Sequence, residues 1–105
     1  MKEIRVDVGV CTSFEVDLSY IDFTGVEAVV FTVKNYPDPK SPEIIERLFT
    51  NKGVHEMVIT AKESLALTAT AEYDFCIQLA DGKRFKLTNN GKIVLRKAVG
   101  DCIED

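Results

Sequence analysis

The chain reads as an all-β protein, a two-layer sandwich of about seven to eight antiparallel strands with one short helical turn near residues 61–66. Three observations carry that expectation. Residues 71–79 (AEYDFCIQL) alternate without a fault, Tyr73, Phe75, Ile77 and Leu79 one way and Glu72, Asp74, Cys76 and Gln78 the other. Turn signals recur at short intervals: Asp22 to Gly25, Asn51-Lys52-Gly53, Asp81-Gly82 and Asn89-Asn90-Gly91. The segments between them have a side-chain period of two, the mark of strands with one buried face.

In chain order, residues 3–10 place Ile4, Val6, Val8 and Val10 inward against Glu3, Arg5 and Asp7. Cys11 and Thr12 interrupt this first strand, and Phe14, Val16 and Leu18 resume the pattern as a second. Val26 to Lys34 is dense in β-branched residues, which predicts a central strand with Val29, Phe31 and Val33 on one face and Ala28, Val30 and Thr32 on the other. Three prolines in residues 35–42 forbid regular pairing and predict a stiff exposed loop. Residues 42–50 admit two readings. Ser41-Pro42-Glu43 resembles a helix start, but Ile45, Arg47 and Phe49 alternate, and the strand is the choice. A hairpin at Asn51-Lys52-Gly53 then leads to a strand over 54–59.

Thr60 and Glu63 form a capping box, so one or two helical turns are expected at 61–66, with Leu65 and Leu67 plugging the core. A leucine, small residues and then Tyr73 entering an alternating strand is similar to the tyrosine corner of immunoglobulin-like sandwiches. The remaining strands, 84–88 and 92–98, are expected to continue 71–80 as a meander. Phe85, Leu87, Ile93 and Leu95 face the core in that reading; Arg84, Lys86, Lys92, Val94 and Arg96 face outward.

A chain of 105 residues with 46% apolar content fits one domain over 1–105. No stretch has the length of a membrane span, and MKEIRVDV reads as a strand and not a secretion signal. Three widely spaced cysteines, Cys11, Cys76 and Cys102, suit neither a disulfide framework nor a zinc site and are expected to be free thiols. Charge is unevenly placed. Residues 1–81 carry seven Lys/Arg against fourteen Asp/Glu, a net −7, whereas residues 82–100 carry six basic residues and no acid. The last five residues add Asp101, Glu104 and Asp105.

No constellation carrying chemistry emerges, so no catalytic residue, metal or cofactor is expected. His55 is the only histidine and has no partner ligands in sequence. Asn90-Gly91-Lys92 lacks the glycine spacing and following helix of a phosphate loop. Asp38 and the acidic tail have no calcium-loop spacing and read as solvated surface. The basic hairpin is the exception. Lys83, Arg84, Lys86, Lys92 and Arg96, with Lys97 next in line, form either a solvated strand face that discourages edge pairing or a contact patch for an acidic protein. The acidic first 81 residues make another copy a candidate, and head-to-tail contact would build a ring or stack. Nucleic acid is disfavoured, since no aromatic interleaves the exposed basic side.

Most of the chain also resembles a known family. The residues that carry it are Phe31 to Lys34, Gly53-Val54, Val58-Ile59-Thr60, Glu63-Ser64, Leu67, Tyr73-Asp74-Phe75, Ala80 to Lys86, Asn90-Gly91-Lys92, Leu95-Arg96 and Val99 to Cys102. Their order is similar to the immunoglobulin-like N-terminal domain of phage baseplate upper proteins, and to small proteins encoded in phages and prophages of Gram-positive bacteria. The resemblance implies a non-enzymatic structural or accessory protein, in a virion or the bacterial host cytoplasm. Its partners would be other phage structural proteins or its own copies, with no membrane contact. The rival expectation is a stand-alone module that binds a glycan or host protein through its loops, with Tyr36, on the proline loop, and Tyr20 as the aromatic contacts.

Overall fold

A computed structural model describes residues 3–36, 38, 40–87 and 90–97, the last in its backbone only. Cys102, Asn89 and the acidic tail lie outside the described residues. Among the described residues, eight strands and one short helix follow in the order β1 (Ile4–Val8), β2 (Thr12–Asp17), β3 (Val26–Lys34), β4 (Glu43–Phe49), β5 (Val54–Ile59), α1 (Ala61–Leu65), β6 (Glu72–Leu79), β7 (Arg84–Lys86) and β8 (Gly91–Lys97). They make two sheets. The larger runs β1-β8-β6-β3-β4 with β7 also on β6; the smaller is the β2-β5 pair.

The all-β expectation holds, and so does the strand at 43–49. Ile45 and Phe49 bury on β4 while β3 pairs along it antiparallel. Burial of two alternating apolar side chains outweighs the local helix-start signal. Three connections differ from expectation. β1 and β8 pair in parallel, Ile4 opposite Ile93 through Val8 opposite Lys97, so the large sheet is mixed and not wholly antiparallel. Residues 50–53 do not close a hairpin, because β4 belongs to one sheet and β5 to the other. The meander also fails. β7 takes Cys76–Gln78 of β6 and β8 takes Glu72 and Tyr73, so both share one edge of β6 at different heights.

The core lies between the sheets. Phe31, fully buried on β3, has its ring 6.1 Å from Phe14 of the small sheet, 5.7 Å from Tyr73 and 5.0 Å from Phe75. Val6, Val16, Leu18, Met57, Ile59 and Ile93 complete it. Two residues expected inside are outside. Phe85 is 55% exposed because β7 is only three residues long and has no strand of the small sheet above it, and Leu65 is 67% exposed while Leu67 does enter the core. β3 is buried on both faces, Val30 included, as expected of a strand flanked on both sides.

The capping box forms as its spacing requires. Thr60 Oγ1 accepts from Glu63 N at 3.1 Å and Glu63 Oε1 accepts from Thr60 N at 3.0 Å. Ser64 is fully buried; its hydroxyl donates to Ala61 O and accepts from Gly9 N at 2.9 Å. Gly9 has φ 88°, a left-handed turn that sends the chain from the large sheet to the small one.

Arg47 stands on the core face of β4 and closes the gap between β4 and β5. One of its nitrogens lies 2.6 and 2.7 Å from the two Glu63 carboxylate oxygens and 3.5 Å from Val58 O. Burial of Glu63 works to raise its pKa, but the hydrogen bonds from Arg47 and Thr60 outweigh it and hold the group below its ordinary 4.5. The unfolded chain therefore takes up this proton first. The stability Glu63 contributes is present above the ordinary value and is lost as pH falls through it toward the lower folded value. Glu63→Gln is expected to cost about 1 kcal/mol at neutral pH. Urea unfolding followed down to about pH 3 should show the difference from wild type shrinking as the carboxylate is protonated.

Candidate functional site

The basic residues are carried by β7, β8 and the turn before β7, beside strands that carry acids, and three of them stand within 4.0 Å of an acid of the first 81 residues. Arg96 Nε is 3.8 Å from Asp7 Oδ1 across the β1–β8 pair, and Lys83 Nζ is 3.9 Å from Asp81 Oδ2 in the turn. Lys92 is opposite Glu72, and Lys86 is opposite Cys76, one step from Asp74.

Arg84 reaches farthest. Its Nε donates to Gln78 Oε1 at 2.8 Å, and Nη1 lies 4.0 Å from Glu46 Oε2 on β4. Because β6 and β3 separate β7 from β4, the side chain must cross the outer face of the sheet. On that face, turned away from β2–β5, Val30 is buried and Leu48 is 55% exposed. The outer face is thus a charged strap over a small apolar strip.

Tyr36 and Tyr20 are both exposed, at 56% and 68%. They do not converge. Asn35, beside Tyr36, accepts from Thr68 N at 2.9 Å in the α1–β6 connection, and α1 is tied through Ser64 to the turn that starts β2. Tyr20 follows the other end of β2. His55 hydrogen-bonds Asn51 O through Nε2 at 2.6 Å, with its ring 5.2 Å from that of Phe49. Among the described residues no group of three His, Cys, Asp or Glu is placed to hold a metal ion, and no helix is long and apolar enough to cross a membrane. Cys11 is exposed and Cys76 half-buried, both free. Burial, and then the Asp74 carboxylate, push the Cys76 thiol above its ordinary 9.0, which disfavours the reactive thiolate.

The feature that local sequence reading missed is a cleft of about 560 Å³ between β1 and β2. β1 and β2 part at Gly9, one into each sheet, and the mouth between them stays open. Ile4, Phe14, Phe75 and Leu87 line its floor, and Glu3, Arg5, Glu15 and Asp17 its rim. These four apolar residues are only partly buried. Asp17 is held ionised by Ser19, whose hydroxyl and backbone N–H both donate to it and lower its pKa. Among the described residues β2 has one strand neighbour, β5, so its other edge borders the cleft with no described strand on it. The arrangement brings outward main-chain groups, an apolar floor and a rim of three acids and Arg5 together.

No protein-family model matches the chain, and no curated protein is significantly similar to it in sequence.

Proposed function

We propose that this chain is a non-catalytic structural or accessory protein of a phage or prophage particle, an immunoglobulin-like sandwich that works through protein–protein contacts. The strand order supports the immunoglobulin-like part of this reading. β3, β6 and β8 share one sheet with β4 at its edge, and β2 and β5 face them, as strands C, F, G, C′, B and E do in immunoglobulin-type domains. Tyr73 enters β6 after the helical turn at the position of the tyrosine corner. The sandwich departs from that plan in β7, an extra strand in the F–G connection.

Such a fold hosts many functions, so the contact role rests on the surface. The β2 edge beside an apolar cleft supports capture of another polypeptide through main-chain groups; of the two tyrosines considered for a glycan, Tyr20 lines that cleft and Tyr36 does not. The test is to induce the prophage in the strain that encodes the chain, band particles on a density gradient and search them by mass spectrometry. Stoichiometric co-sedimentation is expected. A chain that stays wholly in the soluble fraction while particles form would sink the virion role.

A further inference from the structure

We infer that the β2 edge receives strand β7 of a second copy, in antiparallel β-addition that lays Phe85 into the cleft. This deepens the reading of the chain as a contact protein by naming the surface and its occupant.

The backbone parity agrees. Leu18 N donates to Gly53 O, so by antiparallel alternation Phe14 and Val16 bond to β5 while the N–H and C=O groups of Ser13, Glu15 and Asp17 face outward. On β7, Leu79 N donates to Lys83 O and Leu87 N to Phe75 O, which turns the groups of Arg84 and Lys86 outward. Among the described residues, each molecule therefore offers two edges of like spacing with no strand on them.

The side chains agree in the same register. Setting Glu15 opposite Lys86 places Val16 opposite Phe85, Asp17 opposite Arg84 and Phe14 opposite Leu87. Glu15 then meets Lys86 on the outer face, Asp17 meets Arg84 once that side chain turns from Gln78 and Glu46, and apolar groups meet on the cleft face, the kinds of cross-strand pair that stabilise a sheet. The exposure of Phe85 in the isolated chain acquires a reason. The other edges match less well. β4 and β5 are bridged by Arg47, and pairing β2 with another β2 would bring Glu15 and Asp17 against like charges. Because the two edges differ, the contact is head-to-tail.

Sedimentation equilibrium of the full chain, from micromolar to near-millimolar concentration at low and high salt, tests this with Glu15→Lys, Lys86→Glu and their mixture. Wild type should associate with rising concentration, and salt should weaken it. Each variant alone should associate at least about tenfold more weakly, and the equimolar mixture should recover. Glu15→Lys removes a like-charge pair with Glu56, its neighbour on β5, so folding should not suffer. Glu15→Pro deletes only an outward N–H and should block association with far-UV circular dichroism unchanged. A wild-type chain that is monomeric throughout, variants that associate like wild type, or a folded mixture that fails to recover would each overturn the strand exchange. None of these results bears on co-sedimentation with particles, so the two readings fail separately.

Discussion

Phe31→Ala is expected to lower the unfolding free energy by about 4 kcal/mol. Typical domains are stable by about 5–15 kcal/mol, so this variant should be near the edge of folding. Phe31 has no exposed surface and its ring meets Phe14 across the sheets and Tyr73 and Phe75 along β6. Truncation loses the transfer energy of the ring and leaves a hole that cannot readily collapse, because β3 is hydrogen-bonded on both edges to β4 and β6. Urea denaturation read by circular dichroism measures the cost. Phe85→Ala is the paired control and should change monomer stability by no more than about 0.5 kcal/mol. Equal losses in the two variants would place Phe85 in the core and contradict the fold.

Gly91→Ala is expected to cost about 3 kcal/mol although it adds only a methyl group. Gly91 is directly opposite Tyr73 in the short β6–β8 pairing, and a Cβ there would overlap the Cε2 and Cζ carbons of the Tyr73 ring. The ring cannot swing away cheaply, since it is buried against Phe31 and Phe75. The backbone of Gly91 is not in a left-handed conformation, so the penalty is steric and not torsional. A double-mutant cycle isolates it. In a Tyr73→Ala background the same Gly91→Ala change should become neutral or stabilise by about 0.5 kcal/mol, because alanine suits a strand better than glycine. A cost that persists without the tyrosine ring would show that the close approach to Tyr73 is not its source.

How much of this was legible in the sequence varies with the range of the interaction concerned. Tyr73, Phe75 and Ile77 were readable as one face of a strand because the side-chain period needs only the strand itself. The Thr60–Glu63 box was readable because both partners lie within one helical turn. Phe85 was misread for the opposite reason. Its alternation with Arg84 and Lys86 is intact, and its face is the inward one, but no strand of the small sheet lies above that corner. The basic run was visible as charge, but its partners were not: Arg96 meets Asp7 across the β1–β8 pair and Arg84 reaches Glu46 on β4, both far away in sequence. The cleft had no local signal at all.

By itself, then, the sequence determined which segments extend, which side of each turns inward and where the chain reverses, all set by steric and hydrogen-bond preferences among residues a few positions apart. Only the tertiary structure decided that β1 runs parallel to β8, that β4 and β5 part into different sheets, and that β2 borders a cleft on the side away from β5. Those outcomes depend on which distant faces bury each other best, a competition among all the strands at once that no single stretch of chain can encode.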